Sequence, residues 1–176
     1  LGPDDKAKIK PDPVPLIRSE KDLYAALGLD YIEPELREDR GEITAAEGHR
    51  LPHLVELENL RGTFHNHTTE SDGRSSLKEM VSAAQELGLD YLGISDHSVS
   101  SFQAHGLDVG RLLKQVATIR EMNERFDGEF KIFAGVECDI LKDGTLDYPD
   151  DVLAQLDYVV ASVHASFTQS QAEMTA

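Results

Sequence analysis

The sequence has no tryptophan, a single cysteine, and only 17 lysines and arginines against 33 aspartates and glutamates. Each shortage excludes something. One thiol, Cys138, cannot close an internal disulfide, and such cysteine usage fits a reducing cytosol. No apolar run approaches the ~20 residues that a membrane span requires. The opening Leu1-Gly2-Pro3-Asp4-Asp5-Lys6 lacks the hydrophobic stretch of a secretory signal. These features together lead us to expect a cytoplasmic protein with no membrane partner. The formal net charge of -16 describes a surface that would by itself repel a polyphosphate. Two readings of the acidic excess stand: it keeps the protein soluble, or a few carboxylates sit in a metal site, where divalent cations invert the local electrostatics.

What is present suffices for a core. Of the 176 residues, 40% are hydrophobic, enough for one ordinary domain plus an appended segment. Pro3, Pro11, Pro13 and Pro15 crowd the first twenty residues, a linker-like composition. From Glu20 to Gly28 the pattern reads as a short helix stopped by glycine, and Tyr31 to Arg37 forms a compact stretch with its own apolar residues. This region is too short to fold alone.

From about Asn59 the chain alternates strand and helix. Leu60–Phe64 leads into His65 as a first strand. Ser76 and Glu79 form a capping box ahead of a helix with Leu77, Met80, Val81, Ala84 and Leu87 on one face, ended by Gly88. Tyr91–Ser95 is a second, buried strand. A second helix carries Val109, Leu112, Leu113, Val116, Ile119 and Met122 along one stripe. Phe130–Val136 is the third strand, Pro149–Leu156 a third short helix with proline in its first turn, and Asp157–Val163 the fourth strand. Strands recurring at intervals of roughly 30 to 40 residues with helices between them are the pattern of βαβ units and a parallel sheet, open or part of a barrel. Ala165 to Ala176 begins what reads as another helix, and the chain is expected to be a piece of something longer.

Six residues fall where such folds gather function, at the carboxyl ends of strands. His65 and His67 end the first strand, and a spacing of two puts both imidazoles on one face of an extended backbone. His97 follows the second strand, Glu137 the third and His164 the fourth, while Asp72 lies in the loop after the first, able to fold back over the same rim. Imidazole and carboxylate suit zinc, manganese or iron, and carboxylates can bridge ions and offset their charge. Paired ions ~3.5–4 Å apart activate water and stabilise a phosphoryl group in displacement. His49, His53 and His105 share no such position and read as exposed or structural. Asp96 either orients a ligand or bonds nearby backbone. Arg74 either meets a substrate phosphate or is merely solvated. Cys138 points away from Glu137 and reads as core packing, and Asp127-Gly128 and Asp143-Gly144 read as turns.

These motifs resemble those of the PHP (polymerase and histidinol phosphatase) domain family. His65-Asn66-His67-Thr68-Thr69-Glu70-Ser71-Asp72-Gly73 is similar to its first motif, Ile94-Ser95-Asp96-His97-Ser98 to its second, Gly135-Val136-Glu137 to its third, and Ser162-Val163-His164 to its next histidine motif. Upstream, Asp22 to Arg37 resembles the junction that precedes the PHP domain in bacterial family X DNA polymerases. The resemblance implies an α/β fold, a distorted seven-stranded β/α barrel of which this chain holds roughly the first half. It further implies a division into residues 1–58, a linker and the tail of a polymerase region, and 59–176, the N-terminal part of a metallophosphoesterase domain.

By family pattern, His65, His67 and Glu137 would hold one divalent ion, Glu137 would bridge to a second that also takes His164, and Asp72 and His97 would serve a third. The implied activity is manganese-stimulated 3′–5′ exonuclease or related end-processing chemistry in DNA repair, with DNA 3′ ends as partner and a polymerase module in cis. The family's later histidine motif and its Asp-X-His motif do not appear in this sequence, and neither do polymerase catalytic carboxylates, so nucleotide transfer is not expected of it. Two other functions are weighed: a small-molecule phosphatase of the histidinol-phosphatase type, and a non-catalytic module braced by metal.

Overall fold

The computed structural model describes residues 16–165 and 167–175, so the expected proline-rich linker lies almost wholly outside the described residues. The chain divides into two compact units, Leu1–Leu54 and Val55–Ala176.

In the first unit, helix α1 spans Glu20–Ala26. Ser19 caps it, accepting from the Asp22 amide while the Asp22 carboxylate accepts from the Ser19 amide, so two otherwise unpaired donors are satisfied. Gly28 follows at φ 73°, a left-handed value that glycine adopts without cost and that stops the helix. Arg37 then clamps the segment. Its guanidinium donates to both oxygens of Glu20 at 3.0 and 2.9 Å and, through Nε, to the carbonyl of Ile32. Tyr24 and Tyr31 meet edge to face beside it. A 3-10 turn at Pro34–Leu36 and helix α2, Glu42–Glu47, complete the unit.

The second unit carries the sheet. After a 3-10 turn at Leu57–Asn59, its elements are β1 (Gly62–Asn66), α3 (Leu77–Glu86), β2 (Tyr91–Ile94), α4 (Val109–Arg125), β3 (Lys131–Asp139), α5 (Asp150–Leu153), β4 (Tyr158–Ser162) and α6 (Gln171–Met174). All four strands are parallel and lie in chain order β1-β2-β3-β4, curled into a half-barrel. The expected α/β fold and partial barrel are therefore observed. Capping boxes start α3 at Ser76 and α6 at Ser170, and Asp108 caps α4.

The two faces of β3 explain the architecture. Ile132, Ala134, Val136 and Cys138 alternate onto one face and join Leu92, Ile94, Leu112, Val116 and Ile119 in the core beneath the helices. Cys138 is thus core packing, as expected. The other face carries Phe133, Gly135, Glu137 and Asp139. At its lower end Phe64 packs on Tyr91, Phe133 and Tyr158 at centroid distances of 5.4, 5.3 and 4.9 Å. Gly135 makes this possible, because a Cβ there would sit 2.4 Å from the Tyr158 ring.

Several elements differ from the sequence reading. β3 runs on to Asp139 instead of stopping at Val136, because β4 pairs with it from Gly135 onward. Glu137 is consequently inside the strand, not after it. Pro149 occupies the N-cap of α5, not its first turn, and the helix ends at Leu153. Leu87, the C-cap of α3, is 77% exposed and is not part of the core face. Gln115, a polar residue missed by the apolar stripe, is buried on α4.

Candidate metal centre

Glu137 is the hub of the rim above β3. Its side chain is 7% exposed, and four imidazoles converge on its two oxygens. Nε2 of His65 lies 3.1 Å, Nε2 of His67 3.3 Å and Nδ1 of His97 3.2 Å from Oε2, while Nε2 of His164 lies 3.2 Å from Oε1. Asp72 approaches from the loop after β1, with Oδ1 3.2 Å from Nδ1 of His67 and Oδ2 3.6 Å from Nε2 of His97. All six residues singled out in the sequence therefore meet at one place. They form three overlapping groups whose ligand atoms lie within 4.8 Å of one another: His65, His67 and Glu137; His67, Asp72 and His97; His97, Glu137 and His164.

The donor set fits a divalent cation. Nδ1 of both His67 and His97 is buried, close to a carboxylate, yet has no hydrogen-bond partner. Buried ring nitrogens near carboxylate oxygens but misaligned for hydrogen bonding are arranged as lone pairs facing a shared cation would be.

The route by which the first two histidines arrive is not the extended backbone expected. His65 sits at φ 62°, in the left-handed region, and the β1–β2 register shifts between Thr63 and Asn66. The break bends the strand end so that both rings reach the same oxygen. A non-glycine residue in this conformation costs of order 1–3 kcal/mol and persists only where surrounding contacts hold it.

The supporting contacts include residues that the sequence reading missed. Asp139, two positions after Glu137 and on the same face, accepts from Ser100 at 2.7 Å and from Ser101 at 3.0 Å, and its Oδ1 lies 2.7 Å from Nδ1 of His164. The period of two along β3 was the signal that could have found it. Burial by itself would raise the Asp139 pKa, but its bonds to His164, Ser100 and Ser101 hold it below the ordinary aspartate value. The same bond from Asp139 raises His164, against a smaller opposing effect of burial. Glu137 is also drawn below the usual glutamate range: burial pushes it up, and the Ser162 hydroxyl, 2.8 Å from Oε1, together with His65 outweighs that.

Asp96 is wholly buried and makes no hydrogen bond to a histidine among the described residues. Its carboxylate accepts from the Thr68 amide and hydroxyl, each at 2.7 Å, from the Ser71 hydroxyl, and from Gln115 Nε2 at 2.6 Å. It thereby fixes the whole loop between His67 and Asp72. Arg74 is exposed and pairs with no carboxylate among the described residues. His49 bonds Asp30 at 2.9 Å, and His53 and His105 are exposed; none of the three enters the cluster.

Comparison with known proteins gives the arrangement a context. Residues 63–175 match the PHP domain model, and residues 5–38 match that of the DNA polymerase beta thumb. The DNA polymerase/3′-5′ exonuclease PolX of Bacillus subtilis is 44% identical over 153 residues, which is 87% of this chain and 26% of that protein. Probable phosphatases of Caldicellulosiruptor bescii and Clostridium acetobutylicum are 33% and 31% identical over 57% of this chain, covering 40% and 39% of their own lengths. The chain thus spans less than half of each of these relatives. No helix among the described residues is long and apolar enough to cross a membrane.

Proposed function

The chain belongs to the PHP domain family, and from that premise we propose that it is the metal-dependent phosphoesterase part of a DNA-processing family X polymerase, acting on DNA 3′ ends in the bacterial cytosol. The observation that carries the reading is the convergence of four imidazoles on the two oxygens of Glu137, with Asp72 closing the cluster. His65, His67 and Glu137 would hold one divalent ion. Glu137 and His164 would hold a second, and Asp72 and His97 would serve a third. Manganese, zinc and iron all suit this donor set.

When bound, such ions supply a water-derived nucleophile at neutral pH and offset the charge of an in-line phosphoryl displacement. The chain's own residues do the positioning. Asp139 accepts from Nδ1 of His164 and so leaves Nε2 free to face the centre, and Ser162 fixes one Glu137 oxygen. Asp96 holds the loop that carries Asp72, so this exposed ligand does not rest on a mobile segment.

DNA is preferred as substrate because the upstream residues match a polymerase thumb. A second reading, hydrolysis of a small phosphomonoester, draws on the likeness to probable phosphatases. Rates measured with Mn2+ on a 3′-labelled oligonucleotide and on p-nitrophenyl phosphate separate the two. Excision from the oligonucleotide that disappears in His67→Ala is expected, and a strong preference for the monoester would favour the second reading. An unchanged oligonucleotide rate in His67→Ala, with a lowered Tm, would mean that the cluster only braces the fold.

A further inference from the structure

We propose that the groove between α3 and α4 is a subsite for the sugar-phosphate backbone of the strand being processed, separate from the metal centre. The proposal rests on the phosphoesterase reading and deepens it. The groove is a cavity of about 380 Å³ that gathers Lys78 from the first turn of α3 and Arg111 and Lys114 from the first turns of α4. Three cations in one cavity stand out in a chain of net charge -16. One carboxylate, Glu70, lines the groove with them, 3.7 Å from Arg111.

Arg111 is fixed in place by donating to the carbonyls of His105 and Glu70, so its charge is held at the groove wall. Lys78 and Lys114 are exposed, and neither pairs with a carboxylate among the described residues. Two ammonium groups left unpaired amid an excess of acid can meet an incoming anion without first breaking an ion pair. Leu77 and Met122 give the cavity an apolar floor.

Position supports a strand over a free phosphate. Glu70 and Thr69 line the groove and belong to the loop that carries both His67 and Asp72. Thr69 is two residues from His67, so their Cα atoms are at most roughly 8 Å apart. A second anion site walled by the loop that carries two of the ligands serves a substrate that has a second phosphate, which a phosphodiester chain has and a simple phosphomonoester lacks. Cationic grooves that track the backbone are the general device for holding single strands.

The test is fluorescence anisotropy of a labelled oligothymidylate titrated with the whole 176-residue chain, in EDTA and at low salt, so that binding is read without ions at the centre. Lys78→Glu/Lys114→Glu is compared with wild type, and Lys78→Gln/Lys114→Gln stands in if circular dichroism shows the first pair unfolded. The expected result is at least a tenfold loss of affinity. The slope of log affinity against log salt should also flatten by about 1.4, the value for two single-strand phosphates released. Affinity and slope equal to wild type would overturn the proposal. So would inorganic phosphate competing as effectively as unlabelled oligothymidylate, since the groove would then be a site for free phosphate. Hydrolysis of bis-p-nitrophenyl phosphate by the wild type with Mn2+ is read separately. Its absence would sink the proposed function while the binding data still judge the groove.

Discussion

Removing the Asp96 carboxylate should loosen the ligand loop and lower stability by an amount that depends on what replaces it. Asp96 is 0% exposed and accepts four hydrogen bonds, from two donors on Thr68, one on Ser71 and one on Gln115. In Asp96→Ala the two hydroxyls can turn to other acceptors, but the Thr68 amide and the Gln115 amide group cannot easily do so. Two buried donors without acceptors cost about 1–3 kcal/mol each, so the loss should be about 2–6 kcal/mol. That is a large share of the ~5–15 kcal/mol typical of a domain. In Asp96→Asn the remaining oxygen still accepts from the Thr68 amide, and Gln115 can flip to offer its carbonyl. The loss there should be about 1–2 kcal/mol. Urea unfolding followed by circular dichroism reads both values from the midpoint at constant slope. Equal losses for the two variants, or an alanine variant within about 0.5 kcal/mol of wild type, the range usual for surface substitutions, would refute the reasoning.

Other expectations follow from the same contacts. Asp139→Ala removes the partner of His164 Nδ1, so the His164 pKa, raised in the wild type, should fall back toward that of an ordinary histidine in NMR titration. Calorimetry with Mn2+ should show affinity reduced by about 10–100-fold, the usual effect of losing a group that orients a ligand; unchanged affinity would dismiss Asp139 as a positioning residue. Asp157 ties the start of β4 to the Ala134 amide and to Arg120, both through Oδ2, at 2.8 and 2.7 Å. Burial raises its pKa, but Arg120 and that amide outweigh the effect and leave it lowered. Because the folded pKa is depressed, its stabilisation is present above the unfolded value of ~3.9 and is lost as pH falls through the folded pKa. The stability gap between wild type and Asp157→Asn should therefore be full at neutral pH and shrink on acidification below about pH 4. A gap independent of pH would contradict that assignment.

Local pattern made much of this molecule readable. The alternation of apolar residues along β3, the capping box at Ser76 and Glu79, and the glycine stop after α3 each depend on neighbours a few residues away, so they can be read without the fold. The same periodicity marked strand ends, and with them His97 and His164. Where β3 would end was not readable, because its last residues are held in the strand by pairing with β4, 23 positions later.

What the sequence by itself determined is the kind of chemistry available: imidazoles and carboxylates delivered to one end of a parallel sheet. The tertiary structure alone decided how they meet. The gathering of four rings on one carboxylate and the Asp96 link between the ligand loop and α4 join residues 19 or more positions apart. Periodicity tells which face a side chain takes. Only the curl of the sheet and the packing of its loops bring the faces of different strands within bonding distance.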